Sequence, residues 1–396
     1  MTFDISFNNV SIPKRKPFWE ESYFGLTFER DPRPRCSLIL GDGFTQGFLA
    51  SQGIKDRILL SVDNHFPPPE NTMYIPVRDD VFEKSKLWDA KKWPNLYSFW
   101  ESIGKLNGRD FYLALHKAEI NPHKNIGKLS YDTGSIGFEL RCYLWHLFRS
   151  KNYEMKELLQ NNGVNLQSWE WFKPFKILLS EFALGVATFN YDLIVEDILH
   201  QVFFKNVIFH DLSSEDEFSR RPADSIALYK IHGSISYYIN TGMSSIIQLG
   251  PKSNPWLVNA KYHFNTIGNA NLDVDPRVES FPEFPDIVPP GHLGDDKLNP
   301  QSVVLPLSKC HIKASCLVII CGLSAEEPDT DEVRGLVEEI NLDAVVIHVG
   351  LESDRNNKLA KMLMDRGIES TFFLPDQLKK IGDIVGEKIP LHRAWS

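Results

Sequence analysis

The residues best suited to chemistry follow a short apolar run near the middle of the chain. Leu184 to Ala187 has the pattern of a buried strand, and it leads into the polar segment Thr188-Phe189-Asn190-Tyr191-Asp192. An asparagine side chain donates and accepts hydrogen bonds without titrating, so Asn190 could hold a water molecule or a hydroxyl group. Asp192 lies where it could cap a helix predicted from Leu193 to Val202.

Two other strand-like runs also end in segments that could bind a ligand. Cys36 to Leu40 leads into Gly41-Asp42-Gly43-Phe44-Thr45, and Ile226 to Ile231 leads into His232-Gly233-Ser234. Glycine lets the backbone approach a phosphate closely, and a helix N-terminus offers N–H groups, so the first segment could hold a dinucleotide pyrophosphate. A histidine can accept a proton near neutral pH. Because ligands of open α/β sheets bind at the carboxyl ends of strands, we expect one shared site.

Each of these segments also has a purely structural interpretation. Asn190 and Asp192 could cap a helix, and His232 could be an ordinary turn residue. The two glycines could simply make a tight connection between a strand and a helix. The functional interpretation is favoured because the three segments occur together, each at the end of a strand of the parallel type.

The elements that position these segments predict an α/β fold with a Rossmann-like, doubly wound parallel sheet. In the C-terminal part strands alternate with helices, which indicates parallel strands joined by right-handed crossovers. The strands predicted there are Leu317–Cys321, Ala344–Val349 and Ser370–Phe373, and the helices are Asp331–Ile340, Asn356–Arg366 and one from Asp376. Further strands are predicted at Ile58–Val62 and Val207–Phe209, and a hairpin is predicted from Ser234–Ile239 and Ser245–Leu249.

The sequence divides into three predicted parts. Residues 1–35 form an N-terminal arm, residues 36–62 and 183–396 form the Rossmann-like domain, and residues 63–182 form a helical insertion module. Helical periodicity marks five stretches of the module: Val81–Trp88, Leu96–Lys105, Asp110–Ala118, Ile136–Phe148 and Trp169–Phe182. Its many aromatic residues are expected to form its core. Residues 250–300 are rich in Pro, Gly, Asn and Asp, which predicts a long loop or lid.

Composition limits the classes of function. Lys plus Arg is 43 and Asp plus Glu is 52, and the resulting net charge of −9 argues against nucleic acid as a direct partner. The five cysteines form no C-x-x-C pair and no zinc-site pattern. No apolar run approaches the roughly 20 residues needed to span a bilayer. The expectation is a cytoplasmic protein without a membrane segment or a metal.

Four motifs, taken in order, resemble those of the sirtuin family, and specifically the sirtuin-like NAD-consuming domains of bacterial antiphage defence proteins. The segment from Gly41 to Thr45 resembles the family's Gly-Ala-Gly or Gly-Asn-Gly loop. Thr188 to Asp192 resembles its Thr-x-Asn-x-Asp element, and His232-Gly233 resembles its catalytic His-Gly. Gly322-Leu323-Ser324 resembles its late Gly-x-Ser. The resemblance spans residues 36–375 but covers neither the arm nor the insertion in detail.

The resemblance implies hydrolysis of NAD+ to nicotinamide and ADP-ribose. Nicotinamide is a cationic leaving group, so its departure leaves an oxocarbenium-like ribose that needs a positioned nucleophile. Asn190 would orient the water and the nicotinamide ribose, and His232 would act as the general base. Asp192 would fix the nicotinamide side or its loop. The remaining residues expected to bind NAD+ are Gly41, Asp42, Gly43, Phe44 and Thr45 at the pyrophosphate, Thr188 beside them, and Gly322 and Ser324 at the adenosine ribose or its phosphate.

Two departures from the family pattern narrow this expectation. Sirtuin deacylases of the eukaryotic type carry a four-cysteine zinc ribbon after the histidine, whereas no cysteine lies between His232 and Cys310. This difference counts against protein deacylation and fits the NAD-hydrolysing branch. Asp42 replaces an uncharged residue of the phosphate loop, which places a negative charge near a diphosphate.

The family further implies a cellular role and partners. The role would be NAD+ depletion during phage infection, and the toxic activity would be controlled by homo-oligomerisation and by a partner. Relatives work beside a HerA-like ring ATPase or an Argonaute-type protein, and a chain of this length with one sirtuin-like domain looks most like the HerA-paired kind. Three alternatives remain. The chain could be an NAD-dependent protein deacylase, a non-catalytic regulatory subunit that binds NAD or ADP-ribose, or a doubly wound protein for another nucleotide.

Overall fold

The computed structural model describes most of the central and C-terminal chain. The described residues are 33–54, 62–67, 72–78, 81–118, 133–199, 225–240, 283–290, 301–326 and 328–388, with the short stretches 29–30, 203, 206–209 and 220–221. The strands are β1 (Glu29–Arg30), β2 (Arg35–Leu40), β3 (Thr72–Arg78), β4 (Val81–Lys86), β5 (Ala183–Thr188), β6 (Asn206–Phe209), β7 (Arg220–Arg221), β8 (Ser225–Lys230), β9 (Gly233–Asn240), β10 (Glu283–Ile287), β11 (Leu317–Cys321), β12 (Val345–Val349) and β13 (Ser370–Phe373).

The helices lie mainly in two blocks, one before β5 and one after β10. They are α1 (Asp42–Ser51), α2 (Pro94–Ser102), α3 (Gly108–Lys117), α4 (Thr133–Asn162), α5 (Phe172–Glu181), α6 (Ile194–Asp197), α7 (Gln301–Lys313), α8 (Thr330–Val337), α9 (Lys358–Asp365) and α10 (Ile381–Lys388). Short 3-10 turns occupy Val62–Asn64, Leu166–Ser168, Glu352–Asp354 and Pro375–Lys380. Among the described residues, no helix is both long enough and apolar enough to cross a membrane.

Seven strands form one sheet in the order β13-β12-β11-β2-β5-β8-β6, and every pairing in it is parallel. All residues of β5 and β11 are buried, as expected for strands covered on both faces. Alternate residues enter two separate apolar clusters, so that Leu38 belongs to one and Ile39 to the other. The α/β, Rossmann-like fold predicted from the sequence is therefore confirmed.

The topology places β2 at the point where the direction of winding changes. After β2 the chain adds β5, β6 and β8 on one side, and it adds β11, β12 and β13 on the other. The last residues of four adjacent strands are in register, since Leu40 pairs with both Thr188 and Cys321, and Thr188 pairs with Lys230. The segments that follow these residues therefore meet at one edge, where such sheets bind ligands.

The region predicted as a helical module contains helices α2 to α5 and also a β-hairpin. The helix predicted at Val81–Trp88 is wrong, because Val81–Lys86 forms strand β4 and pairs antiparallel with β3. Backbone pairing with the neighbouring segment decides this structure, and a helical period within one segment does not reveal it. The predicted aromatic core is confirmed for its buried members, which are Trp93, Trp100, Trp145, Phe148, Trp169 and Trp171.

Other predicted elements differ in their partners or bounds. The predicted strand Ser234–Ile239 lies within β9, but β9 pairs antiparallel with β10, inside the predicted long loop. Residues 245–249 and 55–61 lie outside the described residues, which leaves the predicted second hairpin strand and most of Ile58–Val62 as predictions. After Asp192, residues Ile194–Asp197 are α-helical, and the predicted end of this helix at Val202 lies outside the described residues. Helix α7, which contains Pro306, was not predicted.

Candidate functional site

A pocket of about 110 Å³ opens at the carboxyl ends of β2, β5, β8 and β11. It lies at the change of winding direction, and residues from the insertion close one side of it. The lining residues are Gly41, Asp42, Val62, His65, Arg109, Phe148, Phe189, Asn190, Tyr191, Asp192, His232, Pro290, Gly322, Leu323, Ser324, Glu326, Pro328 and Asp329. Its volume is well below the roughly 300–1,000 Å³ of typical ligand pockets, so a dinucleotide would need it to open.

The pocket brings together most, but not all, of the predicted site residues. Seven of them line it: Gly41, Asp42, Asn190, Asp192, His232, Gly322 and Ser324. Gly43, Phe44, Thr45 and Thr188 do not. The Phe44 ring packs edge-on against Trp169 and Trp171 in the apolar core, which gives it a structural role in this state. Thr45 and Thr188 are fully buried and support the pocket from behind.

Asn190 is held by three hydrogen bonds. Its amide nitrogen Nδ2 donates to the Gly41 carbonyl and to Thr45 Oγ1, at 3.0 Å each. Its backbone N–H donates to Thr188 Oγ1 at 3.1 Å. The Gly41 carbonyl can only accept, which fixes the orientation of the amide. With both amide hydrogens engaged, Asn190 can act on a pocket occupant only as an acceptor, through Oδ1.

Asp192 continues the same network. Its Oδ2 accepts from the Thr45 hydroxyl at 3.1 Å, and its Oδ1 accepts from the Ile194 N–H at 2.9 Å. The predicted capping interaction is therefore present, at the start of a short helix. Burial raises the pKa of Asp192 to about 6, against the opposing effects of Lys230, Ile194 and Thr45. The carboxyl group is thus half-ionised slightly below neutral pH, which makes its charge responsive to its neighbours.

His232 lies two residues after the end of β8 and is buried between two aromatic rings. The Phe189 ring meets it edge-on at 5.1 Å, and the Tyr191 ring lies nearly parallel to it at 5.8 Å. The positions on either side of Asn190 thus hold the imidazole in place. Burial, and secondly His65, lower the pKa of His232 to about 3. The imidazole is therefore neutral at physiological pH, as a general base must be, although its low pKa makes it a weak base.

A carboxylate faces His232 across the pocket. Asp329 Oδ1 lies 3.6 Å from His232 Nε2, too far for a hydrogen bond. Because the pKa of His232 is low, the imidazole is neutral and the contact is not an ion pair at physiological pH. Nε2 makes no hydrogen bond to any residue that the structure describes. If His232 accepted a proton, the Asp329 carboxylate would stabilise the resulting imidazolium.

The glycines of the two turns pack against each other, which accounts for their presence without any ligand. A Cβ on Gly41 would lie 2.2 Å from the Gly322 carbonyl oxygen, and Gly322 has φ +65°. The Gly41 N–H donates to the Cys321 carbonyl at 2.9 Å, and the Gly43 N–H donates to the Gly322 carbonyl at 3.3 Å. These two N–H groups are therefore already engaged, and their predicted role at a pyrophosphate stays a prediction.

The charged groups of the lining are mostly acidic. Among the described lining residues they are Asp42, Asp192, Glu326 and Asp329 against one cation, Arg109. Arg109 in turn contacts Asp63 at 3.5 Å and Glu326 at 3.8 Å. Such a lining favours a cationic group and disfavours a bare diphosphate in the enclosed part. No group of three potential metal ligands occurs in the part of the chain that the structure describes.

Sequence reasoning missed the residues that approach the pocket from outside the four motifs. His65 and Arg109 come from the insertion, and His65 Nδ1 lies 2.7 Å from the Tyr112 hydroxyl. Asp329 and Glu326 come from the loop after β11. No motif marks these positions. Asp329 follows Gly322-Leu323-Ser324 closely in sequence, and this proximity could have indicated that it lies near the site.

A short described segment also covers the side of the pocket next to His232. The Val288 N–H donates to the His232 carbonyl at 2.9 Å, and the Tyr191 hydroxyl donates to the Val288 carbonyl at 2.7 Å. Pro290 then lines the pocket. Main-chain bonds from the end of β10 thus fix both the histidine and its stacked tyrosine.

Comparison with known proteins gives no family for the chain: no protein-family model matches it, and no curated protein matches it significantly. The fold and the site define a Rossmann-like α/β protein with a pocket at the change of winding direction. Within that pocket stand a fixed amide, a buried carboxyl group and a neutral imidazole, which is a set suited to polar binding and to general base catalysis.

Proposed function

We propose that the chain is a sirtuin-like NAD+ glycohydrolase, which converts NAD+ and water to nicotinamide and ADP-ribose. The observation that carries the proposal is the convergence of Asn190, Asp192 and His232 on one pocket at the carboxyl edge of the sheet. These residues come from two different strand ends, and their types suit the reaction. The order of the four motifs, which resembles that of the sirtuin family, supports the same activity.

In the proposed reaction the bond between the ribose C1′ and the nicotinamide nitrogen breaks, and the bonding electrons leave with nicotinamide, which becomes neutral. Water adds to C1′ and its proton passes to His232. Asn190 Oδ1 accepts a hydrogen bond from the water or from a ribose hydroxyl. Asp329, 3.6 Å from Nε2, stabilises the imidazolium until the proton is released to solvent.

The charge of the lining suits the leaving end of the substrate. Nicotinamide in NAD+ carries a positive charge, and four carboxylates surround the pocket. Burial raises the pKa of Asp192 to about 6, which is still below neutral pH. The carboxyl group is therefore mostly ionised at pH 7 and can attract the cationic ring. The diphosphate and the adenosine half would extend from the enclosed part along Gly41, Asp42, Gly322 and Ser324.

The pocket as it stands is too small for a dinucleotide. Its volume is about 110 Å³, both amide hydrogens of Asn190 are engaged, and two glycine N–H groups of the turns are engaged. A chain that depletes NAD+ must be inactive in the resting cell. On the resemblance to the sirtuin-like defence domains, we further propose a role in bacterial antiphage defence, in the cytoplasm, with activation through a homo-oligomer and a HerA-like ring ATPase.

The proposal is tested by identifying products. The purified chain, alone and with its ATPase partner, is incubated with NAD+, and nicotinamide and ADP-ribose are quantified by chromatography and mass spectrometry. Equal amounts of the two products without any peptide support the hydrolase. Nicotinamide release that requires an acetyl-lysine peptide and yields O-acetyl-ADP-ribose would instead identify a deacylase.

A non-catalytic NAD or ADP-ribose-binding subunit is the second candidate. It is favoured by the engaged donors of Asn190 and by the low pKa of His232, about 3, which makes the imidazole a weak base. Calorimetry with NAD+ and with ADP-ribose separates the two candidates. Binding without product under every condition, including the presence of the ATPase, would establish the sensor and exclude the hydrolase. A panel of other nucleotides in the same titration tests whether the ligand belongs to a different class.

A further inference from the structure

A buried ion pair lies directly behind the pocket. Lys230 is the last residue of β8 and Glu196 belongs to α6, and both are fully buried. The Lys230 ammonium nitrogen Nζ lies 2.9 Å from Glu196 Oε1. It also donates a hydrogen bond to the main-chain carbonyl of Asp192. One ammonium group thus connects the end of β8 with two points of the segment that follows β5.

The position of this pair relates the two segments that carry the site. Lys230 stands two residues before His232, and Glu196 stands four residues after Asp192. The strands themselves are linked in register, with Thr188 opposite Lys230. Beyond the strand ends, the Ile231 N–H donates to the Thr188 carbonyl, and the Lys230 side chain then continues the connection to Asp192.

Stability alone does not account for a lysine and a glutamate at this place. Removing two charges from water is costly, and replacing a buried ion pair by apolar residues of similar volume is often neutral or stabilising. Methionine and leucine would fill the same space in this core. What apolar residues could not supply is a donor for the Asp192 carbonyl and a positive charge beside its carboxylate.

We propose that the Lys230–Glu196 pair is a positioning element of the site, which fixes the segment carrying Asn190 and Asp192 against the strand end that carries His232. Glu196 holds the ammonium group in place, and the ammonium group holds the Asp192 main chain. The contribution of the pair to turnover rests on the proposed NAD+ hydrolysis. The effect of the pair on the pKa of Asp192 does not depend on that function.

The pair also acts on Asp192 through its charges. Burial raises the pKa of Asp192, the positive charge of Lys230 lowers it, and the negative charge of Glu196 raises it by less than Lys230 lowers it. The other groups that act on this carboxyl group are the Ile194 N–H and the Thr45 hydroxyl, both of which lower its pKa. Removing both charges of the pair should therefore raise the pKa of Asp192, whereas removing Glu196 alone should lower it.

The informative variants follow from these opposite effects. The double substitution Lys230→Met with Glu196→Leu keeps the volumes and leaves no isolated buried charge, unlike Lys230→Met alone. Glu196→Gln keeps the shape and keeps an acceptor for Lys230. Ser37→Ala with Ser315→Ala is the matched control, since it removes another buried polar pair, with 2.8 Å between the two hydroxyl oxygens, at the amino end of the sheet.

Two readouts are measured on each protein. The first is the titration midpoint of Asp192, obtained from the pH dependence of the melting temperature of each protein relative to its Asp192→Asn derivative. The second is kcat and KM for nicotinamide release. We expect a midpoint above pH 6 in the double variant and below pH 6 in Glu196→Gln. We also expect kcat of the double variant to fall about 10- to 100-fold with KM nearly unchanged, since a displacement of about 1 Å can cost about 100-fold in rate.

The outcomes separate this proposal from the proposed function. A folded double variant with the wild-type midpoint and the wild-type kcat would overturn the positioning role and leave the pair purely structural. If the double variant does not fold, an unchanged midpoint in Glu196→Gln overturns the proposal, and a lowered midpoint supports it. If the wild type does not hydrolyse NAD+, the proposed function fails, but the two opposite midpoint shifts still decide whether the pair controls Asp192. The serine control is expected to match the wild type in both readouts.

Discussion

Replacing His232 by asparagine should change how stability depends on pH. Burial lowers the pKa of His232 from 6.5 to about 3 in the folded protein. Between these values the unfolded chain binds a proton that the folded chain does not. The wild type therefore loses stability as pH falls below 6.5, and the variant, which has no titrating group at this position, lacks this contribution.

The magnitude follows from the size of the shift. Each pH unit below 6.5 is worth about 1.4 kcal/mol, so the contribution of His232 at pH 4.5 is about 3 kcal/mol of lost stability. It reaches its limit of about 5 kcal/mol only below pH 3, where the imidazole is protonated in both states. Because His232 is only 2% exposed, solvent screening reduces this figure little.

Asp192 contributes with the opposite sign. Its pKa is raised from 3.8 to about 6, so the folded state holds a proton that the unfolded chain releases between these values. Its contribution to stability therefore falls as pH rises from about 4 to 6, and in this window it partly hides the effect of His232. The comparison of the wild type with His232→Asn removes the contribution of Asp192, which both proteins share.

The assay is urea unfolding of both proteins at pH 4.5, 5.5, 6.5 and 7.5, followed by fluorescence and circular dichroism. The difference in the free energy of unfolding should be constant above pH 6.5 and should shift by about 3 kcal/mol in favour of the variant at pH 4.5. A difference that does not depend on pH would refute the buried, neutral imidazole and the general base built on it.

Three further predictions test other parts of the site. In the wild type, kcat/KM should rise near pH 6 as Asp192 ionises, and Asp192→Asn should remove this rise. If the rise persists in the variant, it belongs to another group. Asp329→Asn should lower kcat about 10- to 100-fold with little change in KM, because the imidazolium loses its counter-charge; the exposed Asp331→Asn is its control, and equal kinetics in the two variants would exclude the role. Gly322→Ala should destabilise the fold by about 3 kcal/mol or more in thermal melts, since φ is +65° and its Cβ would lie 2.4 Å from the Phe44 nitrogen. Gly47→Ala, which has open space around it, should not destabilise, and similar melting temperatures for both variants would contradict the turn packing.

The centre of the parallel sheet could be predicted because its strands are buried on both faces. Leu317–Cys321 has the predicted bounds, since a continuous apolar run between turn residues leaves little choice. Ser370–Phe373 also has the predicted bounds, although it is a half-buried strand at the edge of the sheet. The hairpin of β3 and β4 could not be predicted in the same way. Among the described residues its two strands pair with each other and with no other strand, so partner choice, and not periodicity, decides its structure.

Helix α7 shows a different limit of sequence reasoning. Pro306 lies inside it, and proline usually ends or kinks a helix, so the pattern did not indicate a continuous helix over Gln301–Lys313. The burial of charged residues in α6 shows another limit. An apolar pattern predicted the helix after Asp192, but it gave no sign that Glu196 would be buried, because its partner Lys230 comes from a strand distant in sequence.

The motif residues of the site could be located because each follows a strand, and register fixes where the strand ends meet. Asn190 and His232 therefore reach the same pocket. What periodicity and motifs could not supply are groups that depend on tertiary packing. Arg109 belongs to the insertion, and Asp329 reaches His232 through a loop of irregular structure. The predicted phosphate loop shows that a motif can also have a structural cause. Gly41 and Gly322 are required by close backbone packing, whether or not they bind a phosphate.

The most direct measurement of the central claim is the rate of nicotinamide release from NAD+ by four proteins under one activating condition: the wild type, Asn190→Ala, His232→Asn and the distant control Ser37→Ala. The account predicts turnover by the wild type and the control, and a loss of about 100- to 10,000-fold in kcat in both site variants, which should remain folded. Release that persists at the wild-type rate in either folded site variant would contradict the assignment of Asn190 and His232 to the reaction.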